Sequence, residues 1–265
     1  MTAEGAQKRI ALVTGGSRGV GAATAIALAQ RGCDVALTYR NKATRAAHVV
    51  AEIERCGRRG RAIQSDITLA ADRQRLWTQF DAWSPHLDML ILNASGGLER
   101  EALAVDPLYP MRINRDAQLA LVVAALPRMA QQMARGSTIV FVTSHWAHLY
   151  GQIEQLPAYS AVAESKHAGE RALRARQDEF SRHGVRLIVV TGDLIEGTIT
   201  PRLLERAAPG LASWRRSSIG ELPTAQSMGE EIATAALDVA ISSGTTVVVG
   251  GSLDSLRRLP DDAAR

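Results

Sequence analysis

Two stretches of this chain combine residue types and spacings that can do chemistry. The first is Thr14-Gly15-Gly16-Ser17-Arg18-Gly19-Val20-Gly21, which follows a short apolar run and opens onto an Ala-rich helical stretch. Glycines let a backbone turn sharply and approach a phosphate closely, and a helix N-terminus adds free N–H groups and a favourable dipole. After a strand and before a helix, such a turn predicts nucleotide binding. The second stretch holds Tyr159 and Lys166, seven residues apart, after Pro157. At about 100° per residue they return to within roughly 20° of one direction, so they can share a helix face about 10 Å apart along the axis. Lys8, Lys42 and Lys166 are the only lysines, so a lysine inside a motif carries weight here. His145, His148 and Tyr150 lie just upstream and are alternative proton donors, the histidines because imidazole titrates near neutrality; each taken singly reads more readily as a surface loop residue.

The elements that must position these groups alternate. Short β-branched runs at 10–14, 34–38, 61–64, 89–92, 138–142, 186–190 and 245–249 are mostly continuous rather than alternating in polarity. That is the pattern of strands buried on both faces of a parallel sheet. Helical stretches such as 22–30, 43–55, 117–135 and 162–182 lie between them and stop at Gly32, Gly57, Gly136 and Gly184, with a strand starting soon after. Glycine takes the left-handed helix-terminating conformation without a Cβ penalty, so each spacing predicts a helix-to-strand turn. Seven strands with intervening helices predict an α/β, doubly wound (Rossmann) parallel sheet with helices on both faces. Neither repeat nor linker divides the chain, so one domain over 1–265 is expected, with tails at 1–8 and 257–265.

Composition narrows the class. Apolar residues make up 46% and charged residues 22%, which excludes wholesale disorder. The longest apolar stretch, 119–127, falls far short of the roughly 18 residues of a membrane span. Residues 1–9 are polar and read as no signal peptide, and Cys33 and Cys56 cannot build a disulfide framework, so a cytoplasmic location is expected. The net charge is +4, but the arginines are dispersed without basic runs or aromatic interleaving, so nucleic acid is not an expected partner. No His/Cys/Asp grouping has metal-ligand spacing, and Ser144 lacks the glycine elbow of an acyl hydrolase.

The spacing T-G-x-x-x-G-x-G differs from the usual G-x-G-x-x-G and resembles that of the short-chain dehydrogenase/reductase family. Further markers extend the resemblance over nearly the whole chain: Asp66-Ile67 after the third strand, Asn93-Ala94-Ser95-Gly96 after the fourth, Asn114, Ser144 at the end of the fifth, and Lys166. The resemblance implies that Asp66 contacts adenine, that Ser144 orients the substrate oxygen, that Lys166 holds the nicotinamide ribose, and that Asn114 supports a water relay to it. The ordinary family motif is Y-x-x-x-K, with the tyrosine moving the proton. Here Val162 stands four residues before Lys166, and Tyr159 is the nearest tyrosine. The Y-x6-K spacing resembles the divergent enoyl-acyl-carrier-protein reductases of the family. The stretch 145–156 is longer than in either branch. Thr191-Gly192-Asp193-Leu194-Ile195 takes the place of the loop that contacts the nicotinamide carboxamide, with Gly192 and Ile195 as its contacts, and 198–228 is the expected substrate lid. Arg202, Arg206, Arg215 and Arg216 in that lid either meet a carrier phosphate or form a solvated face.

The second strand closes on Tyr39-Arg40-Asn41-Lys42, without the carboxylate that would hold a ribose 2′-hydroxyl, and Arg18 lies in the glycine turn. Arginine forks onto a 2′-phosphate, so NADP(H) is the expected cofactor, held by Arg18, Arg40 and Asn41. The expected function is NADPH-dependent reduction of a carbonyl or α,β-unsaturated acyl substrate by hydride transfer, with Tyr159 as proton donor or enolate stabiliser. A catalytically impaired NADP(H)-binding regulatory or scaffold protein is the alternative, which the missing Y-x-x-x-K would explain. The family's habit implies a homodimer or homotetramer.

Overall fold

The computed structural model describes residues 8–98, 100–130 and 136–256. The strands are β1 (Ile10–Val13), β2 (Asp34–Tyr39), β3 (Gly60–Gln64), β4 (Met89–Leu92), β5 (Ser137–Ser144), β6 (Val185–Gly192) and β7 (Thr246–Val249). They form one sheet in the order β3-β2-β1-β4-β5-β6-β7, every neighbouring pair parallel. The order reverses between β1 and β4, and in such sheets a crevice opens at the carboxyl ends of the strands beside that reversal.

The helices are α1 (Gly19–Gln30), α2 (Ala43–Arg55), α3 (Ala70–Asp81), α4 (Arg100–Val105), α5 (Tyr109–Met111), α6 (Ala117–Ala130), α7 (His145–His148), α8 (Ser160–Arg174), α9 (Gln177–Arg182), α10 (Ile199–Ala207), α11 (Leu211–Ile219) and α12 (Ala225–Leu237). One turn of π-helix, Arg112–Asp116, leads into α6. Side chains alternate across a strand, so the sheet feeds two cores. Leu12, Leu90, Ile139 and Leu187 pack against Phe80, Leu121 and Phe180 on one face. Ala11, Ile91, Val140 and Ile188 pack against Leu28, Ile53 and Ile232 on the other. A third cluster beyond the strand ends joins Trp146, Tyr159 and Val162 to Leu204 and Leu211.

Gly32, Gly57, Gly136 and Gly184 all have positive φ, and Gly32, Gly57 and Gly184 follow the ends of the stretches expected to stop there. The stretch expected to be helical over 162–182 instead begins at Ser160 and divides at Ala175 and Arg176 into α8 and α9. The last part of the expected helix 117–135, residues 131–135, lies outside the described residues, as do the expected tails except Lys8. None of the described helices is long and apolar enough to cross a membrane.

Candidate active site

A cleft of about 760 Å³ runs across the carboxyl ends of the strands, from the β2 corner to the helices after β6. At its floor lies the glycine turn. Gly15 and Gly19 have φ of +66° and +54°, and a Cβ at Gly21 would sit 2.4 Å from Asn93 Nδ2. Helix α1 starts at Gly19 with no side chain capping it, so its first N–H groups face the cleft mouth as an anion-binding end. Gly15, Ser17, Arg18, Gly19, Val20 and Gly21 line the cleft. Thr14 does not; it is fully buried, donating to Ile91 O (3.1 Å) and accepting from the N–H groups of Asn93 (2.9 Å) and Ala94 (3.0 Å). It ties β1 to the loop after β4.

The basic corner is larger than the sequence indicated. Arg18, Arg40, Asn41 and Lys42 line the cleft together with Arg45, on the first turn of α2. Arg40 Nη1 donates to Tyr109 Oη at 2.8 Å. Facing it, Asp66 Oδ1 accepts from Thr68 N (3.0 Å) and Thr68 Oγ1 (2.6 Å), while Ile67 is buried beside it. Asn93, Ala94 and Ser95 form the opposite wall, with Asn93 Nδ2 donating to Thr14 O at 2.9 Å. These free helix N–H groups, close-packed glycines and cations fit a dinucleotide phosphate backbone.

At the other end, β5 delivers Ser144 and the 3₁₀ turn Pro157–Tyr159 delivers Tyr159, whose Oη lies 2.9 Å from Ser144 Oγ. The turn places Tyr159 just before α8, which carries Lys166. Burial pushes the Tyr159 hydroxyl up to about 12, opposed by its bond to Ser144. Lys166, on α8, is buried and donates to Val142 O at 3.0 Å, and burial pushes its ammonium down to about 8. An ammonium has three donors, so it keeps capacity toward the cleft it lines. Asn114 stands behind this group, not in the cleft wall: its Nδ2 donates to Gly96 O and to Ser165 Oγ, both at 3.0 Å. A Cβ at Gly169 would meet Asn114 O at 2.3 Å, so α8 sits hard against the π-turn. Val162, four residues before Lys166, closes the apolar wall.

The alternative donors point elsewhere. His145 is fully buried, with Nδ1 3.0 Å from Thr191 Oγ1 and Nε2 2.9 Å from Gly251 O. The carbonyl oxygen accepts only, so Nε2 carries the proton and Nδ1 accepts from Thr191. Burial lowers the His145 pKa to about 4, against the pull of Asp193. His148 pairs with Glu170 at 2.9 Å, and neither it nor Tyr150 lines the cleft.

Gly192, the last residue of β6, is buried outside the cleft wall, whereas Asp193, Leu194 and Ile195 after it reach the cleft. Residues from Thr198 to Leu204, Arg202 among them, cover the cleft from α10. Arg215 corrects the expectation that the lid arginines meet a phosphate or face water. It is fully buried on α11, its Nε and Nη2 donating to Asp193 at 2.7–2.9 Å and its Nη2 to Ser255 Oγ at 2.8 Å. Arg216 pairs with Glu196 on the surface. This anchoring left no periodic signal in the sequence.

Comparison with known proteins agrees with this geometry. 1-Cyclohexenylcarbonyl-CoA reductase of Streptomyces collinus is 28% identical over 252 residues, 93% of this chain and 87% of that protein. A hydroxynaphthalene reductase of Aspergillus fumigatus is 29% identical over 229 residues, 84% of this chain and 79% of its own. Acetoin dehydrogenase from Enterobacter cloacae shares the fold with a TM-score of 0.78 at 23% identity, over 96% of this chain and 99% of that one. A 7α-hydroxysteroid dehydrogenase complexed with NADH and 7-oxo glycochenodeoxycholic acid does so at 0.80 and 22% identity, over 95% and 96%. A family model described as short chain dehydrogenase matches residues 9–207, from the approach to β1 through α10. With the glycine turn, Ser144, Tyr159 and Lys166 all inside that span, the chain belongs to the short-chain dehydrogenase family, oxidoreductases that work with a nicotinamide dinucleotide.

Proposed function

We propose that this protein is an NADPH-dependent reductase in which Ser144 and Tyr159 share the carbonyl oxygen of an apolar substrate. The observation that carries this reading is the 2.9 Å contact between Ser144 Oγ and Tyr159 Oη in the wall of the dinucleotide cleft. Two hydroxyls in contact aim at one further oxygen, and donors preset where negative charge develops stabilise the transition state. The names of the Streptomyces and Aspergillus relatives, both reductases, support the direction of the reaction.

The dinucleotide supplies the hydride. Arg18, Arg40, Asn41, Lys42 and Arg45 hold the 2′-phosphate, and Asp66 and Ile67 flank the adenine. The N-terminus of α1 takes the pyrophosphate, and Ile195 meets the nicotinamide end. Thr14 and Gly192 support those contacts from behind. Lys166 holds the nicotinamide ribose, and its positive charge favours Tyr159 giving up its proton. Ser144 fixes the substrate oxygen while Tyr159 protonates it: the carbon–oxygen π bond breaks, carbon gains the hydride and oxygen gains the proton. Asn114 fixes α8 beneath this group and supports a proton relay toward Lys166. The helices over 198–228 close on the substrate. The protein works as a cytoplasmic homodimer or homotetramer.

In conjugate reduction the same pair would stabilise an enolate oxygen, with hydride added to the β-carbon, two bonds beyond the carbonyl carbon. The Y-x6-K spacing and the cyclohexenylcarbonyl-CoA reductase relative favour this second reading. NADPH consumption against a trans-2-enoyl thioester and the 3-oxoacyl thioester of equal length separates them. Turnover of the oxo compound supports carbonyl reduction, and turnover of the enoyl compound alone supports conjugate reduction. NADPH binding without turnover of any carbonyl compound would contradict both and leave a binding protein.

A further inference from the structure

A hydrogen bond joins two residues that line the cleft from different sides. Of the four cations at the β2 corner, Arg18, Arg40, Lys42 and Arg45, the structure gives a side-chain partner to Arg40, whose Nη1 donates to Tyr109 Oη at 2.8 Å. Arg40 stands just past the end of β2 and Tyr109 lies beyond β4, on opposite sides of the reversal in strand order. Both partners are held from behind. Gln64 Nε2, at the end of β3, donates to Arg40 O at 3.0 Å and ties down the main chain of the corner. The Tyr109 ring packs against the core that holds Ile113 and Leu121. It lies over Gly96, where a Cβ would stand 3.0 Å from Tyr109 Cε1 and 3.2 Å from its Oη. The turn before it is closed by Tyr109 N donating to Asp106 O at 3.0 Å and by an Arg112–Asp106 ion pair of the same length. A half-buried ring on a tied turn thus presents its hydroxyl to an exposed arginine.

An exposed arginine has many rotamers, and fixing it when a ligand arrives costs entropy; holding it beforehand removes that cost. The guanidinium has five N–H donors, and the bond to Tyr109 takes one of those on Nη1. The Nε and Nη2 donors lie side by side along another edge and can fork onto two oxygens of one phosphate. We propose that Tyr109 is a positioning residue that sets the preference for the phosphorylated dinucleotide: its hydroxyl holds Arg40 with the Nε–Nη2 edge presented to the ribose 2′-phosphate. This rests on the NADPH reading above. Lys42 and Arg45 add charge to the corner, whereas Arg40 on its tyrosine adds a fixed geometry. NADH carries only a hydroxyl at that position and gains nothing from a prepared fork, so Tyr109 acts on one cofactor and not on the other.

The test titrates the full-length protein with NADPH and with NADH, followed by fluorescence, in wild type, Tyr109→Phe, Arg40→Ala and the double variant. Tyr109→Phe keeps the ring over Gly96 and removes the hydroxyl. The proposal expects this variant to bind NADPH about fivefold more weakly, the scale of one hydrogen bond, and NADH as wild type does. In the Arg40→Ala background the same substitution should change NADPH binding by about twofold or less. A merely structural role for the ring would weaken both dinucleotides and would persist without Arg40. Equal weakening of the two cofactors, no change in either, or an undiminished loss in the Arg40→Ala background would overturn the role of Tyr109 and leave the NADPH reading standing. Wild type binding NADPH no more tightly than NADH would overturn the cofactor reading and the proposal with it.

Discussion

Ser144 Oγ and Tyr159 Oη lie 2.9 Å apart although fifteen residues of chain separate them. The first rides on the end of a central strand, and the second on a single 3₁₀ turn held by Pro157 and by the Leu156 carbonyl, which accepts from Tyr159 N at 2.8 Å. Between them lies α7, in which His145 and Trp146 are buried and Trp146 lines the cleft. Tyr159 therefore meets Ser144, while Val162 stands four residues before Lys166.

Removing cations from the β2 corner will change cofactor preference more than turnover. Arg40→Ala combined with Arg45→Ala should weaken NADPH binding about tenfold or more, the scale of a lost charge-assisted hydrogen bond, and leave NADH binding nearly unchanged. Fluorescence titration of both dinucleotides reads the ratio. Equal weakening of both would remove the 2′-phosphate from this corner.

Lys166 is held at a stability cost. Its folded pKa of about 8 lies below the 10.5 of an ordinary lysine because burial disfavours the charge. The unfolded chain thus binds more protons between those values, and stability rises with pH across that window. Lys166→Met should abolish turnover yet raise Tm at pH 7 by several degrees in the absence of cofactor, with the gap closing toward pH 10.5. Calorimetry of both proteins over pH 7–10.5 checks it; a lower Tm for the variant at pH 7 would contradict the burial penalty.

His145 works in the same pH sense, in a lower window. Its folded pKa, about 4, is depressed below the ordinary 6.5, so its contribution to stability is complete above 6.5 and is lost as pH falls toward 4. His145→Gln, which carries no titrating ring, should flatten the fall in Tm between pH 6.5 and 4.5. An unchanged slope would place the acid sensitivity on other groups.

The Asp193–Arg215 pair anchors α11 to the end of β6 with neither side chain exposed. Arg215→Ala leaves a buried carboxylate alone and should cost about 3–5 kcal/mol by urea unfolding. Adding Asp193→Leu should recover much of that loss. A single substitution costing under about 1 kcal/mol, the scale of an exposed pair, would contradict the burial of the pair.

The sheet was legible because strands such as β4 and β6 are buried on both faces and therefore read as unbroken apolar runs. Gly32, Gly57, Gly136 and Gly184 marked the turns because only a residue without Cβ takes their positive φ without strain. The glycine turn and Ser144 were legible because each sits at the end of a strand whose position the pattern fixes. Arg45 was not, since its arrival at the cleft depends on how α2 packs against the sheet. Arg215 and Asp193 were missed for the same reason: a pair made across twenty-two residues of lid depends on three-dimensional closure and has no period. The division of α8 from α9 carries neither glycine nor proline, so propensity alone joined them.

The most direct test of the account is the kcat of Tyr159→Phe with NADPH and a carbonyl substrate that wild type turns over, with Tyr150→Phe and His148→Gln measured alongside. Loss of a general acid should lower kcat by about 10²-fold or more in Tyr159→Phe, with NADPH affinity retained and the two loop variants near wild type. Full turnover in Tyr159→Phe would contradict the account and place the proton donor elsewhere.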